Sequence, residues 1–87
     1  MSYLITIKKS SKKEISKLPK KIQLQIIEAI RTLTTINHNL DVKPIKNMPN
    51  TYRLRVGNYR ILFYQDEEEN SITIWRVSHR STAYRDL

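Results

Sequence analysis

Arg53, Arg55 and Arg60 stand close together in a stretch that could hold a phosphate. A guanidinium is planar, permanently charged, and presents donors that match phosphate oxygens two at a time. The stretch, residues 51–65, reads Thr-Tyr-Arg-Leu-Arg-Val-Gly-Asn-Tyr-Arg-Ile-Leu-Phe-Tyr-Gln. Gly57-Asn58 between two runs of aromatic and branched residues predicts a two-residue hairpin, because a primed turn needs positive φ and Gly supplies it without steric cost. Its register pairs Val56 with Tyr59, Arg55 with Arg60, Leu54 with Ile61, Arg53 with Leu62 and Tyr52 with Phe63. Period-two geometry then gives Tyr52, Leu54, Val56, Tyr59, Ile61 and Phe63 one face, suited to a core. Arg53, Arg55 and Arg60 share the other with Leu62 and Tyr64. Like charges directly opposite on a sheet destabilise it. An anion bound among them would relieve that; a solvated, salt-screened outer face is the plain alternative.

A second group lies near the C-terminus: His79, Arg80 and Tyr84. If the last strand pairs with the hairpin, His79 and Arg80 emerge near the arginine face. This inventory suits metal-free cleavage of RNA. The 2′-OH of the RNA can attack the adjacent phosphorus, so no protein nucleophile is needed. The protein must align that oxygen, stabilise the added negative charge and handle two protons. Arginines do the second task. A histidine can move a proton near neutral pH, and Tyr84 could stack on a base or assist proton transfer. Taken singly, each residue also has a plain reading: an exposed His, a solvated Arg, a Tyr capping the core.

The elements that must position these residues follow from pattern. Tyr3–Ile7 reads as a first strand. Ser11-Lys12-Lys13-Glu14 fits a capping box for a short helix running to about Lys17. Pro19 suits the first turn of a second helix, to about Thr35, with Ile22, Ile26, Ala29, Ile30 and Leu33 at helical spacing. Leu24 and Ile27 widen this stripe, as a wide core stripe or a partner contact. Residues 37–49 read as an irregular connection, and Asp66–Asn70 as an acidic turn. In the strand Ser71–Ser78, Ile72 and Ile74 alternate with Trp75 and Val77, placing apolar residues on both faces as in a central strand. The expected fold is α+β: an N-terminal strand and helical hairpin packed on a small, mainly antiparallel sheet, with residues 1–87 as a single domain.

Composition narrows the function classes. Sixteen Lys and Arg against eight acids give a net charge of +8, and half of those acids fall in Asp66–Glu69. Such a field attracts a polyanion. Lys8, Lys9, Lys12 and Lys13 crowd the first helix start and could together grip an RNA backbone without sequence preference. The absence of cysteine excludes a disulfide framework, a thiol nucleophile and a thiolate metal site. There is no phosphate-binding glycine loop, His-Glu-x-x-His or Gly-x-Ser-x-Gly pattern, so neither metal nor organic cofactor is expected. No apolar run approaches transmembrane length and no signal-peptide core is present, which points to a cytoplasmic protein without membrane association.

With these residues in place the chain resembles the RelE branch of the RelE/ParE superfamily of toxin–antitoxin toxins. The resemblance rests on Met48-Pro49-Asn50-Thr51-Tyr52-Arg53-Leu54-Arg55, on Tyr59-Arg60-Ile61-Leu62-Phe63-Tyr64, and on His79-Arg80 followed by Tyr84-Arg85. It implies a RelE-like fold and a metal-independent endoribonuclease that cuts mRNA in the ribosomal A site. It also implies a cognate antitoxin, small and acidic with a DNA-binding segment, that wraps the basic surface of the toxin in a hetero-oligomer. Functional residues of the family correspond to Arg53, Arg55, Arg60, Arg80 and Tyr84. Arg stands at 53 and 55 where the family often has Lys; unlike Lys, it cannot lower its pKa to act as a base. That role would pass to His79, Tyr84 or a ribosomal group. The alternatives are a ParE-like inhibitor of DNA gyrase without nuclease chemistry, and a basic nucleic-acid-binding module without turnover.

Overall fold

The structure is a computed structural model that describes residues 3–34 and 39–79. Five strands form one sheet in the order β1-β5-β4-β3-β2. In chain order the elements are β1 (Leu4–Ile7), α1 (Lys9–Ser16), α2 (Lys20–Leu33), β2 (Asp41–Pro44), β3 (Thr51–Val56), β4 (Tyr59–Asp66) and β5 (Ser71–His79). β1 runs parallel to β5, and the other neighbours are antiparallel.

The β3–β4 hairpin has the register its sequence predicts, from Val56 opposite Tyr59 to Tyr52 opposite Phe63. Gly57 has φ +58°, and Asn58 is not among the positive-φ residues. Positive φ at the first turn position alone is the type II′ pattern that Gly permits. Both helices pack on one sheet face. Leu54, Ile61, Phe63, Ile72, Ile74 and Val77 from the strands meet Ile15 of α1 and Ile26, Ala29, Ile30 and Leu33 of α2 in one buried cluster. Tyr52 stacks on Phe63 with ring centroids 5.5 Å apart.

The structure corrects several expectations. α1 starts at Lys9, and no side chain caps its N-terminus. Ser11 is fully buried with no hydrogen-bond partner for its hydroxyl among the described residues, so the capping box does not form. Glu14 instead reaches across to β5, where its Oε1 accepts the Val77 N–H at 2.9 Å. Pairing to β1 ends at Ile74, so this carboxylate satisfies a backbone donor that the shorter strand does not reach. Leu24 and Ile27 are not core: they are 61% and 40% exposed. At about 100° per residue, Leu24 lies some 200° around the helix from Ile26, beyond the arc a single sheet face can cover.

Residues 41–44, expected to be irregular, form β2 against β3, with Asp41 opposite Arg55 and Lys43 opposite Arg53. Pro44 and the polar sequence hid a strand that exists because β3 offers it an edge. The last correction concerns β5. The β4–β5 register shifts between Leu62 and Phe63: Leu62 faces Arg76, Phe63 faces Ile74, and Trp75 has no partner. This bulge changes the phase of the strand. Val77 joins Ile72 and Ile74 in the core instead of sharing the face of Trp75.

Candidate phosphate-binding face

The sheet face turned away from the helices is built from cross-strand rows. One row reads Asp41, Arg55, Arg60, Ser78 and the next Lys43, Arg53, Leu62, Arg76. Four guanidinium side chains therefore project from adjacent strands in two adjacent rows. The three expected arginines are brought together, and Arg76 is added to them. Without the bulge, Arg76 would share the phase of Ile72 and Ile74 and bring a charge into the core, at a large desolvation cost. A charged residue at that phase is the sequence signal that could have revealed both the bulge and Arg76.

The arginines are not equally exposed. Arg53 and Arg60 are 7% and 9% exposed, while Arg55 is open to solvent. Arg53 Nη2 donates to Asp41 Oδ1 at 3.1 Å, an ion pair between diagonal neighbours on β3 and β2. The carboxylate is 44% exposed, so solvent screens the pair and its role is chiefly to aim the guanidinium. Arg55 and Arg60 face each other directly. Like charges directly opposite on a sheet repel. A phosphate bound there would offset that repulsion. Leu62, flanked by Arg53 and Arg76, is 1% exposed and gives this charged face an apolar floor. The Ser78 hydroxyl, beside Arg60, is buried without a hydrogen-bond partner among the described residues.

His79 is not on this face. It pairs with Tyr59, and the two rings meet edge to face with centroids 5.4 Å apart. Tyr59 packs against the core cluster, so His79 projects on the helix side of the sheet, one residue out of phase with Ser78. The bulge is again the reason. The expectation that His79 emerges beside the arginines is corrected accordingly. Arg80 and Tyr84 lie outside the described residues. Lys8, Lys9, Lys12 and Lys13 are all exposed: Lys8 precedes α1 and Lys9, Lys12 and Lys13 lie on it. Among the described residues no three His, Asp or Glu side chains converge as metal ligands, and no helix is long and apolar enough to cross a membrane.

Comparison with known proteins places this geometry in a family. Residues 5–84 match the family model of the ParE toxin of the type II toxin–antitoxin system parDE. Toxin RelE3 of Methanocaldococcus jannaschii is 42% identical over 66 residues, spanning 75% of this chain and 72% of the relative. Toxin RelG of Mycobacterium tuberculosis is 28% identical over 86 residues, 98% of this chain and 99% of the relative. The RelB–RelE antitoxin–toxin complex from Methanococcus jannaschii has a chain that superposes with a TM-score of 0.76 at 33% identity, covering 94% of this chain and 98% of that one. The archaeal RelE–RelB complex from Pyrococcus horikoshii OT3 gives a TM-score of 0.80 at 25% identity, covering 95% and 100%. A match along almost the whole sequence, and a shared fold with RelE chains at this level of identity, lead to one conclusion: the chain belongs to the RelE/ParE superfamily of type II toxin–antitoxin toxins, on its RelE side.

Proposed function

We propose that this toxin is an endoribonuclease that cuts mRNA in the ribosomal A site without a metal ion. The observation that supports this reading is the grouping of Arg53, Arg55, Arg60 and Arg76 on the helix-free face of the sheet. In the reaction, the 2′-oxygen attacks the adjacent phosphorus, the P–O5′ bond breaks, and a 2′,3′-cyclic phosphate and a 5′-hydroxyl result. One proton leaves the 2′-OH and another reaches the departing 5′-oxygen. Arg55 and Arg60 bind the non-bridging oxygens, whose charge grows in the transition state. Arg53, aimed by Asp41, and Arg76 hold the flanking backbone. Arginine does not act as a base, and His79 projects from the other face. The protons therefore fall to Tyr84 or to groups of the ribosome, with Arg80 as a further charge donor on the strength of the sequence resemblance.

The same reading gives the toxin a cytoplasmic site of action and a cognate antitoxin. The structural relatives named above are RelB–RelE complexes. A partner that covers a chain of net charge +8 should be acidic. The description of the matching family model as a ParE toxin favours a second reading, inhibition of DNA gyrase through protein contacts.

Expression from a tightly controlled promoter, with 5′ ends of cellular mRNA mapped, separates the two. New ends within translated frames, absent with an Arg60→Ala/Arg80→Ala variant, are the expected result. Growth arrest with intact mRNA and an induced DNA-damage response would instead identify a gyrase inhibitor. Growth arrest with neither change would leave a non-catalytic nucleic-acid-binding module.

A further inference from the structure

The arginine rows occupy only part of the helix-free face. Beyond them lies a groove of about 430 Å³ lined by Lys8, Met48, Thr51, Tyr64, Thr73 and Trp75. That volume is within the roughly 300–1,000 Å³ typical of small-ligand sites. Thr51, Tyr64 and Thr73 form the next cross-strand row after Arg53, Leu62 and Arg76. Two residues along a strand is about 6.6 Å, so the groove adjoins the guanidinium groups on one continuous surface. No carboxylate lines it, and its charged member is Lys8, whose backbone N–H is tied to the Ile74 carbonyl at 2.9 Å.

Two aromatic side chains give the groove its character. Trp75 is the unpaired residue of the β5 bulge, and Tyr64 is 41% exposed. The ring pairs in contact among the described residues are Tyr52 with Phe63 and Tyr59 with His79. Trp75 and Tyr64 belong to neither pair, so among the described residues neither ring is stacked on another. Aromatic rings beside a basic track are how proteins hold single-stranded nucleic acid: the charges follow the backbone and each base stacks on a ring. A protein partner could also cover an apolar groove, but its continuity with four guanidinium side chains selects a polyanion that carries flat apolar groups.

We infer that the Trp75–Tyr64 groove takes a nucleobase of the RNA strand whose phosphates lie along the arginines. The inference rests on the RNA-cleaving reading above and adds a base-binding subsite to it. Stacking tolerates any base, because every base has a π face. The groove therefore supplies affinity and register, with Lys8 at its rim reaching a neighbouring phosphate. It also explains an outward Trp on a sheet whose other large apolar side chains are mostly turned inward.

Trp75 is the single tryptophan of the chain, so its emission reports directly on the groove. The test titrates the full-length toxin with a short RNA made uncleavable by 2′-deoxy substitution, and with its abasic counterpart of equal phosphate count. Quenching of Trp75 by the base-bearing strand, with binding about tenfold tighter than to the abasic strand, is expected. Tyr64→Ala, at a partly exposed position, should weaken the base-bearing strand by a similar factor and leave the abasic strand unchanged. Trp75→Phe, which keeps a π face, should retain the preference when binding is followed by anisotropy. Equal binding of the two strands, or no base-dependent quenching up to millimolar strand, overturns the inference. So does an emission change seen with the cognate antitoxin and with neither strand, which would assign the groove to that protein. The 5′-end map keeps this result apart from the broader proposal. Cleavage in translated frames without base-dependent quenching removes the subsite alone; base-dependent quenching without cleavage keeps the subsite and removes the nuclease.

Discussion

The two faces of the sheet are made by the same strands and have opposite energetics. On the helix side, Leu54, Ile61, Phe63, Ile72, Ile74 and Val77 close on α1 and α2 and exclude water. That burial is favourable, at roughly 25 cal/mol per Å² of apolar surface. On the other side, arginines stand opposite one another with Asp41 as the recorded ion-pair partner of Arg53. Like charges standing opposite one another on a sheet cost stability, which the buried face must supply. One face thus supplies the stability on which the other draws.

Substitutions at paired positions test this division. The largest effect is expected from Phe63→Ala, which empties a site 2% exposed. It should lower unfolding free energy by about 3–5 kcal/mol in a urea titration. A loss below about 1 kcal/mol would mean that the helices do not close on the sheet as described. Arg60→Ala should do the reverse. Cleavage falls by about 10²-fold or more, on the scale of one transition-state charge donor, while the urea midpoint moves far less than in Phe63→Ala. Arg76→Ala should reduce cleavage in the same direction; wild-type cleavage by both variants would sink the arginine site.

Smaller effects sharpen the comparison. Asp41→Ala removes the carboxylate that aims Arg53, and the partly exposed pair is worth less than about 1 kcal/mol of stability. Even that difference should shrink as salt is raised to 1 M, because the interaction of exposed charges is screened beyond about 3 Å there. The smallest effect is expected from His79→Ala. His79 stands edge-on to Tyr59 on the helix side, so cleavage and its pH profile should match wild type. A flattened limb of that profile would bring His79 back into the proton transfers and require the end of β5 to turn over in the complex.

What the sequence settled by itself is local. Gly57-Asn58 set the β3–β4 register, and period two then sorted Leu54, Ile61 and Phe63 from Arg53, Arg55 and Arg60 before any contact was known. The apolar spacing of Ile26, Ala29, Ile30 and Leu33 likewise placed α2 on the core. These features follow from backbone geometry within one or two turns of chain, where each residue constrains its near neighbours. Long-range pairing decided the rest. β2 exists because β3 presents an edge to it, and only that pairing brings Asp41 to Arg53. The bulge opposite Leu62 and Phe63 arises between β4 and β5, and it alone sets Arg76 beside the other arginines and sends His79 to the far side. One extra residue in a strand inverts the facing of everything after it, and no periodicity count along a single strand can register a mismatch that exists only against its neighbour.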